Sequence, residues 1–181
     1  MFIRDYHIEP CQIVTKKIVD YYNYLVYNIF HNGCKENKEK IMKLVISSLV
    51  DAIASMERAL KFADKRLTLE NIDEEEIEVI KAGVIQNFEF TYELCWKFMK
   101  RWIEENISTE IVDGVTRREL FRLSAENRLL VDVEEWMEYH KARNRTSHTY
   151  DENIAEEVYQ AAVKFLPAAK DFLARLEARN D

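Results

Sequence analysis

Apolar residues recur at steps of three and four through most of the chain after about residue 44, which is the spacing of an amphipathic helix. We therefore predict four main helices near residues 44–65, 74–106, 116–144 and 150–178, with the third split into two pieces. No segment alternates apolar and polar residues in the manner of a strand. The predicted fold class is all-α, an antiparallel up-down four-helix bundle with an N-terminal helical extension.

Polar residues that commonly precede a helix mark where these helices are predicted to begin. They are Ser47 or Ser48 for the first helix, Asp73 for the second, Thr116 and Asp132 for the two pieces of the third, and Thr149 with Glu152 for the last. Two residues predict local departures from a regular helix. Gly83 costs the second helix about 1 kcal/mol relative to alanine, which close packing of another helix would explain. Pro167 is expected to kink the last helix.

The second predicted helix is apolar on two sides. One apolar line runs from Ile77 to Trp102, and a second line, formed by Phe90, Leu94 and Phe98, lies on a different side. A helix of this kind needs two packing partners, so it is either central in the bundle or shared with another subunit. Because an exposed apolar surface of that extent usually marks an interface, we predict at least a homodimer.

Residues 1–41 have no clean apolar stripe and end in a polar stretch that is typical of a linker. We therefore predict an N-terminal extension of unknown role over 1–41 and a bundle over 42–181. No run of about 18 or more uncharged apolar residues occurs, so no transmembrane helix is predicted. The first residues also lack the basic-then-apolar layout of a signal peptide, and we expect a cytoplasmic protein.

The formal net charge of -7 limits how the chain could bind nucleic acid. A protein held to nucleic acid mainly by its overall field is usually basic, so any phosphate contact here must be local or shared with a partner. The cysteines lie at unrelated spacings, and Cys95 is expected to be a buried free thiol. Three of the four histidines also lack ligand spacing with any acidic or cysteine cluster, and these are His7, His31 and His140. We predict no metal and no cofactor.

The densest group of candidate functional residues lies between residues 143 and 152, just before the last predicted helix. A helix N-terminus presents free backbone N–H groups that favour an anion, so this segment suits a phosphodiester or a nucleotide phosphate. Arg143 would neutralise charge on a phosphate with its planar guanidinium group. An imidazole in general has a pKa of about 6.5, so His148 would be able to take or give a proton.

The pattern Arg143-x4-His148-x-Tyr150 resembles the signature of the HEPN superfamily, the higher eukaryote and prokaryote nucleotide-binding domains. More narrowly, three segments resemble the bacterial nucleotidyltransferase substrate-binding subunits. They are residues 84–97, residues 142–152, and the last helix with its Glu156-Glu157-Val158-Tyr159 and Leu166-Pro167. The resemblance covers about residues 44–178 in order and spacing, and it leaves out 1–41.

The resemblance implies a dimerising helical bundle and a neighbouring minimal nucleotidyltransferase that carries the catalytic metals. This chain cannot be that enzyme, because it has no Gly-Ser pair for a triphosphate and no Asp-x-Asp pair for two metals. In related toxin–antitoxin pairs, the helical protein is a metal-independent RNase that its partner silences by modifying a tyrosine, which would here be Tyr150. The candidate catalytic residues are then Arg143 and His148, and the candidates for phosphate binding or modification are Asn144, Arg145, Ser147 and Tyr150.

Each of these residues also has a purely structural interpretation. Arg143 can pair with a carboxylate such as Glu138 or Glu93, and His148 can simply satisfy a helix end. Glu93 and Lys97 form a favourable i,i+4 surface pair in the second helix, unless Glu93 orients Arg143 or His148 across the bundle. The three tryptophans, at helical spacing, are expected in the core or an interface rather than as platforms for stacking bases.

Three functions therefore stay open at the level of the sequence. The protein is a non-catalytic module that binds nucleotide or substrate for a nucleotidyltransferase, an RNase toxin controlled by that partner, or a purely structural dimer. The first two use the same motif, so the sequence does not separate them, and whether the chain is an enzyme stays open. The acidic charge leans against an efficient, promiscuous RNase.

Overall fold

The computed structural model describes residues 44–180, and within this range the chain is helical, with no strand. The helices are α1 (Ser47–Leu67), α2 (Glu74–Asn106), α3 (Thr109–Val112), α4 (Arg117–Glu126), α5 (Val133–Asn144) and α6 (Glu152–Glu177). A 3-10 turn over Thr146–His148 joins α5 to α6. The all-α fold class is confirmed, and so is the division of the third predicted helix, as α4 and α5. The proposed extension over 1–41 lies outside the described residues.

Contacts between helix ends show that the bundle runs up and down. Arg66 near the end of α1 donates from Nε to Glu76 Oε1 at the start of α2, over 2.8 Å, so α1 and α2 are antiparallel. Lys81 lies 2.7 Å from Glu156, an ion pair between the N-terminal parts of α2 and α6. Helices α2 and α6 are therefore parallel to each other. The chain returns through α5, which lies between α2 and α6 in the sequence.

The two ends of the described bundle are joined by the side chain of Asn180. Its Oδ1 accepts from the backbone N–H of Leu44 at 2.8 Å, and its Nδ2 donates to the carbonyl of the same residue at 2.9 Å. Both residues are buried. This double hydrogen bond, which we call the Asn180 clasp, replaces solvent for two backbone groups that would otherwise be buried unpaired.

Helix α2 is the centre of the bundle and packs against the other helices of the described range. Its apolar line is deeply buried, from Ile80 to Ile103, and the thiol of Cys95 is free and buried as predicted. The opposite wall of the core is aromatic, with Trp136 of α5 packed edge-on against Phe165 and Phe172 of α6. Each such side chain contributes about 1.5–3 kcal/mol through burial, so packing rather than helix propensity fixes the fold.

Three of the predicted helix starts are confirmed. The side chains of Asp73, Thr116 and Asp132 each accept a hydrogen bond from a backbone N–H in the first turn of the helix that follows. The donor–acceptor distances are 2.7 Å for Asp73 and 3.2 Å for Thr116. Each of these caps satisfies a helical N–H that has no partner inside the helix, which is worth about 1 kcal/mol.

Two predicted helix starts are wrong. Ser47 is already helical, and Ile46 precedes α1 without a side-chain cap. Thr149 does not cap α6, because the 3-10 turn brings its hydroxyl onto the carbonyl of Thr146 at 3.1 Å. Asp151 caps α6 instead, accepting from the backbone N–H groups two and three residues ahead at 2.9 and 3.3 Å. Because the hydroxyl of Thr149 is bonded within the turn, it does not cap a helix, and α6 begins only after Asp151.

The surface of α2 also differs from the expectation for Gly83. A Cβ atom placed on Gly83 would meet nothing within 4 Å, so close packing within the described chain does not explain this glycine. Phe98 is buried and Leu94 packs against the core, which covers part of the second apolar line.

Helix α6 continues through Pro167. No helix in the described range is long and apolar enough to cross a membrane.

Candidate functional site

Arg143, in the last turn of α5, is held against two carboxylates of α2. Its Nε lies 2.7 Å from Glu93 Oε1, and its Nη2 lies 3.4 Å from Glu89 Oε1. The first contact is an ion pair rather than a full hydrogen bond, since the buried Nε–H does not point at an acceptor. Glu138, the other carboxylate proposed from the sequence, pairs with Lys141 instead. The guanidinium group is thus fixed from one side.

Glu93 is the centre of this arrangement. Its second oxygen accepts a hydrogen bond from Trp96 Nε1 at 3.0 Å. The predicted pair with Lys97 is present, but Nζ lies 3.9 Å from the carboxylate, which is too far for a hydrogen bond. The Glu93 side chain is only 14% exposed, against 32% for Arg143. Its closest partners are therefore Arg143 and Trp96, which makes Glu93 a bridge between helices.

Arg117, the first residue of α4, completes the group and was not singled out from the sequence. Its guanidinium carbon lies 3.5 Å from the centre of the Trp96 ring, a cation–π contact. Its Nε is buried without a hydrogen-bond partner. Burial lowers the pKa of the Arg117 guanidinium, an effect that Glu93 opposes and Arg143 reinforces. We call Arg117, Trp96, Glu93 and Arg143 the inner cluster.

One feature of the sequence weakly indicates that Arg117 has a special role. Cations are unfavourable in the first turn of a helix, where the helix dipole is positive, yet α4 begins with Arg117 and Arg118. Arg118 is explained by its ion pair with Glu134. Within residues 44–180, no ion pair explains Arg117 in this way. Its contact with Trp96 depends on the packing of α4 against α2.

A second histidine lies beneath the motif. Tyr92 and His140 share a hydrogen bond of 3.0 Å between the phenol oxygen and Nδ1, and His140 Nε2 lies 3.3 Å from Asn144 Nδ2. Burial lowers the pKa of His140, and the charges of Arg117 and Arg143 lower it further. These effects favour the neutral imidazole of His140, which connects the buried Tyr92 to the exposed end of α5.

The remaining motif residues lie on the turn between α5 and α6. Ser147, His148 and Tyr150 are exposed residues of this turn, and we call them the outer group. The rings of His148 and Tyr150 meet edge to face with centroids 6.1 Å apart, and Tyr150 is 86% exposed. Arg145 forms an ion pair with Glu157 on α6.

The contacts of the predicted site residues fall into two sets, those of Arg143 with α2 and that of His148 with Tyr150. Within residues 44–180, no hydrogen bond or ion pair joins the side chains of Arg143 and His148. The N-terminus of α6 also differs from the expectation, because Asp151 already occupies two of its backbone N–H groups. An anion at this site would therefore be held by side chains rather than by the helix end. In the described range, no group of His, Cys, Asp or Glu is arranged to hold a metal ion.

Comparison with known proteins gives consistent matches. Residues 44–178 match a family described as nucleotidyltransferase substrate binding protein like. The chain is 36% identical over 104 residues to a probable ribonuclease HepT from Haemophilus influenzae, covering 57% of this chain and 71% of that protein. A solved Haemophilus influenzae structure, described as the fold of a substrate binding domain of a nucleotidyltransferase, matches with a TM-score of 0.69 and 31% identity, over 73% of this chain and 98% of that one. A Thermus thermophilus structure matches with a TM-score of 0.51 and 27% identity, over 67% and 98%.

Proposed function

We propose, because the chain belongs to the nucleotidyltransferase substrate binding protein-like family, that it binds a phosphate-bearing nucleotide substrate for a separate minimal nucleotidyltransferase. The observation that carries this proposal is Arg143, which Glu89 and Glu93 hold from one side. Their contacts engage Nε and Nη2, and a guanidinium has five N–H donors. Nη1 takes part in neither contact and the Arg143 side chain is 32% exposed, so we expect an anion to bind on this side of the guanidinium group.

The proposal extends to how the protein works with others. It acts in the cytoplasm, where nucleotides and RNA are present, in a pair of the toxin–antitoxin type. It is at least a homodimer, which exposed apolar residues such as Val79 on α2 support. A mass measurement by sedimentation at micromolar concentration tests the dimer, and a monomer would contradict it.

The binding proposal is tested with a short fluorescein-labelled single-stranded RNA and with ATP as an unlabelled competitor. Arg143→Ala is expected to weaken RNA binding about tenfold or more, because a charge-assisted hydrogen bond to phosphate is worth about 1.5–3 kcal/mol. The matched control is Arg175→Ala, which removes an arginine that pairs with Asp171 on α6. Equal affinities for both variants would contradict the proposal.

A second function is supported by the likeness to a probable ribonuclease. In a metal-independent cleavage, His148 would take the proton of the RNA 2′-hydroxyl while that oxygen attacks phosphorus. The bond from phosphorus to the 5′-oxygen then breaks, and the 5′-oxygen takes a proton from water. The products are a 2′,3′-cyclic phosphate and a 5′-hydroxyl, and Arg143 would stabilise the negative charge that develops on the phosphoryl oxygens in the transition state. The high exposure of Tyr150 would leave it accessible to modification by the nucleotidyltransferase.

Cleavage is tested separately from binding. The full chain is incubated with RNA in the presence of a metal chelator, and the products are analysed for cyclic phosphate ends. Loss of cleavage in His148→Ala with RNA binding retained would establish the RNase. Intact RNA with binding retained would leave the binding module. A chain that neither binds nor cleaves would leave the purely structural dimer.

A further inference from the structure

We propose that Arg117 is a second anion-binding residue of the Arg143 site, and that a nucleotide or RNA phosphate binds between the two guanidinium groups. This inference rests on the proposed function and adds a residue that lies outside the Arg143–Tyr150 motif. It follows from how the inner cluster is built and from how its charges are compensated.

The two arginines of the inner cluster are held rigidly. Arg117 lies over the ring of Trp96, at 3.5 Å from its centre. Trp96 donates to one oxygen of Glu93 at 3.0 Å, and the other oxygen lies 2.7 Å from Arg143. Glu93 therefore positions Arg143 by direct contact. It positions Arg117 indirectly, by orienting the Trp96 ring on which Arg117 lies. Preorganised cations bind an anion without a further loss of side-chain entropy.

The charges of the two arginines are compensated unequally. The carboxylates of Glu89 and Glu93 both lie on Arg143. No carboxylate in residues 44–180 lies within 4.0 Å of the Arg117 guanidinium, and its buried Nε has no hydrogen-bond partner. Glu93 compensates Arg117 only at longer range, and a charge that is partly removed from water without a hydrogen-bonding carboxylate is costly. Its neighbour Arg118 shows the usual solution, because Glu134 accepts from both of its terminal nitrogens.

The geometry around Arg117 indicates which kind of anion would compensate it. Trp96 covers one face of the guanidinium, so an anion would bind at the edge of the group, where the terminal N–H groups lie in its plane. A guanidinium edge matches the oxygens of a phosphate in a bidentate arrangement. A tryptophan face would also hold a lysine, but a lysine has no planar edge to present. The arrangement therefore favours an arginine and a tetrahedral oxyanion.

The test uses the full chain with the labelled single-stranded RNA over a series of salt concentrations. Arg117→Ala is expected to weaken binding about tenfold. It should also reduce the slope of log affinity against log salt by about 0.7, the value for one phosphate of a single strand that is no longer neutralised. Arg117→Lys should recover the slope but only part of the affinity. The matched control is Arg118→Ala, the adjacent cation, which should change neither.

The outcomes separate this inference from the proposed function. If Arg143→Ala weakens binding while Arg117→Ala behaves as Arg118→Ala does, the inference is wrong and the proposed function stands. A weaker Arg117→Ala with an unchanged salt slope also overturns the inference, because Arg117 would then only support Trp96. An Arg117→Ala variant that alters the oligomeric mass but not the affinity overturns it as well, because a subunit carboxylate would then compensate Arg117. If neither RNA nor ATP binds the wild-type chain, both proposals fail.

The same measurements identify the source of the phosphate. If ATP displaces the RNA and its own affinity depends on Arg117, the site takes a mononucleotide phosphate. If only RNA binds with dependence on Arg117, the site takes a phosphodiester. Circular dichroism and thermal melting of each variant confirm that the bundle is folded before its affinity is compared.

Discussion

At Arg143, one guanidinium group on α5 is shared by two carboxylates that stand one turn apart on α2. The sequence offered Glu93 and Glu138 as alternative partners of Arg143, and the structure pairs Arg143 with Glu93. The sequence did not predict Glu89 or Arg117, since their contacts depend on how the helices are rotated about their axes. Periodicity places a residue on a face, but the partner across an interface is set by three-dimensional packing.

The first prediction concerns Glu93. In Glu93→Gln, the ion pair with Arg143 is removed while the amide can still accept from Trp96. We expect the free energy of unfolding to fall by about 1 kcal/mol, a modest value because Arg143 is about one-third exposed and partly screened by solvent. Urea denaturation measures the change. Glu138→Gln, whose ion pair with Lys141 is exposed, is the control and should change stability by less than about 0.5 kcal/mol.

The second prediction concerns the pH dependence of stability through His140. The pKa of His140 is below its ordinary value of 6.5 because burial disfavours the charged imidazole. The unfolded chain therefore binds a proton more readily than the folded chain. The contribution of His140 is fully present above pH 6.5 and diminishes as the pH falls below it. Urea denaturation between about pH 7.5 and about pH 5 measures this, and His140→Gln should flatten the curve. An unchanged curve would contradict the prediction.

At the scale of the helix, starts were predictable where an acidic or hydroxyl residue directly precedes an uninterrupted apolar pattern. Asp73, Thr116 and Asp132 all satisfy this condition. The predicted capping residue of α6 was wrong because a 3-10 turn intervenes, and such a turn leaves little trace in the apolar period. In that turn, the hydroxyl of Thr149 bonds backward to a carbonyl rather than forward to a helical N–H.

The third prediction follows from that correction. Asp151→Ala should lower the free energy of unfolding by about 1 kcal/mol, because two N–H groups of α6 lose their acceptor. Thr149→Ala should cost clearly less, since it removes only a bond within the turn. Parallel urea denaturation of the two variants compares them. The reverse order would mean that Thr149 caps the helix after all.

The fourth prediction concerns Gly83 in α2. Because a Cβ atom there meets nothing within 4 Å, Gly83→Ala should stabilise the bundle by about 1 kcal/mol through helix propensity alone. The melting temperature and the sedimentation mass are measured together. A stabilised monomer with its dimer weakened would show that a second subunit approaches the helix at Gly83.

At the scale of the molecule, the fold was predictable because its helices are long and strongly periodic, and α2 kept the bounds proposed for it, Glu74–Asn106. The candidate site was less predictable, because it combines residues from α2, α4, α5 and the turn before α6. The resemblance identified the part that is continuous in sequence. The part that comes from α4 depends on how α4 packs against α2.

The fifth prediction concerns the whole chain. A truncated protein that begins at Met42 should fold, because the apolar periodicity is self-contained from Leu44 onward and the buried residues of the described bundle form one core. Circular dichroism should show helical signal, and thermal melting should be cooperative. An insoluble or molten product would show that residues 1–41 contribute to the core. RNA binding by the truncated protein would further place the site within the bundle.

The Asn180 clasp has a consequence for how this bundle can be combined with other proteins. It places the points where a polypeptide enters and leaves the helices side by side. The 26 residues of α6 separate this point from the outer group by about 39 Å at the usual helical rise. Domains whose ends are adjacent tolerate insertion into a host chain or circular permutation. The bundle can therefore be inserted into a host protein at this end, with the outer group at the far end of α6 from the host.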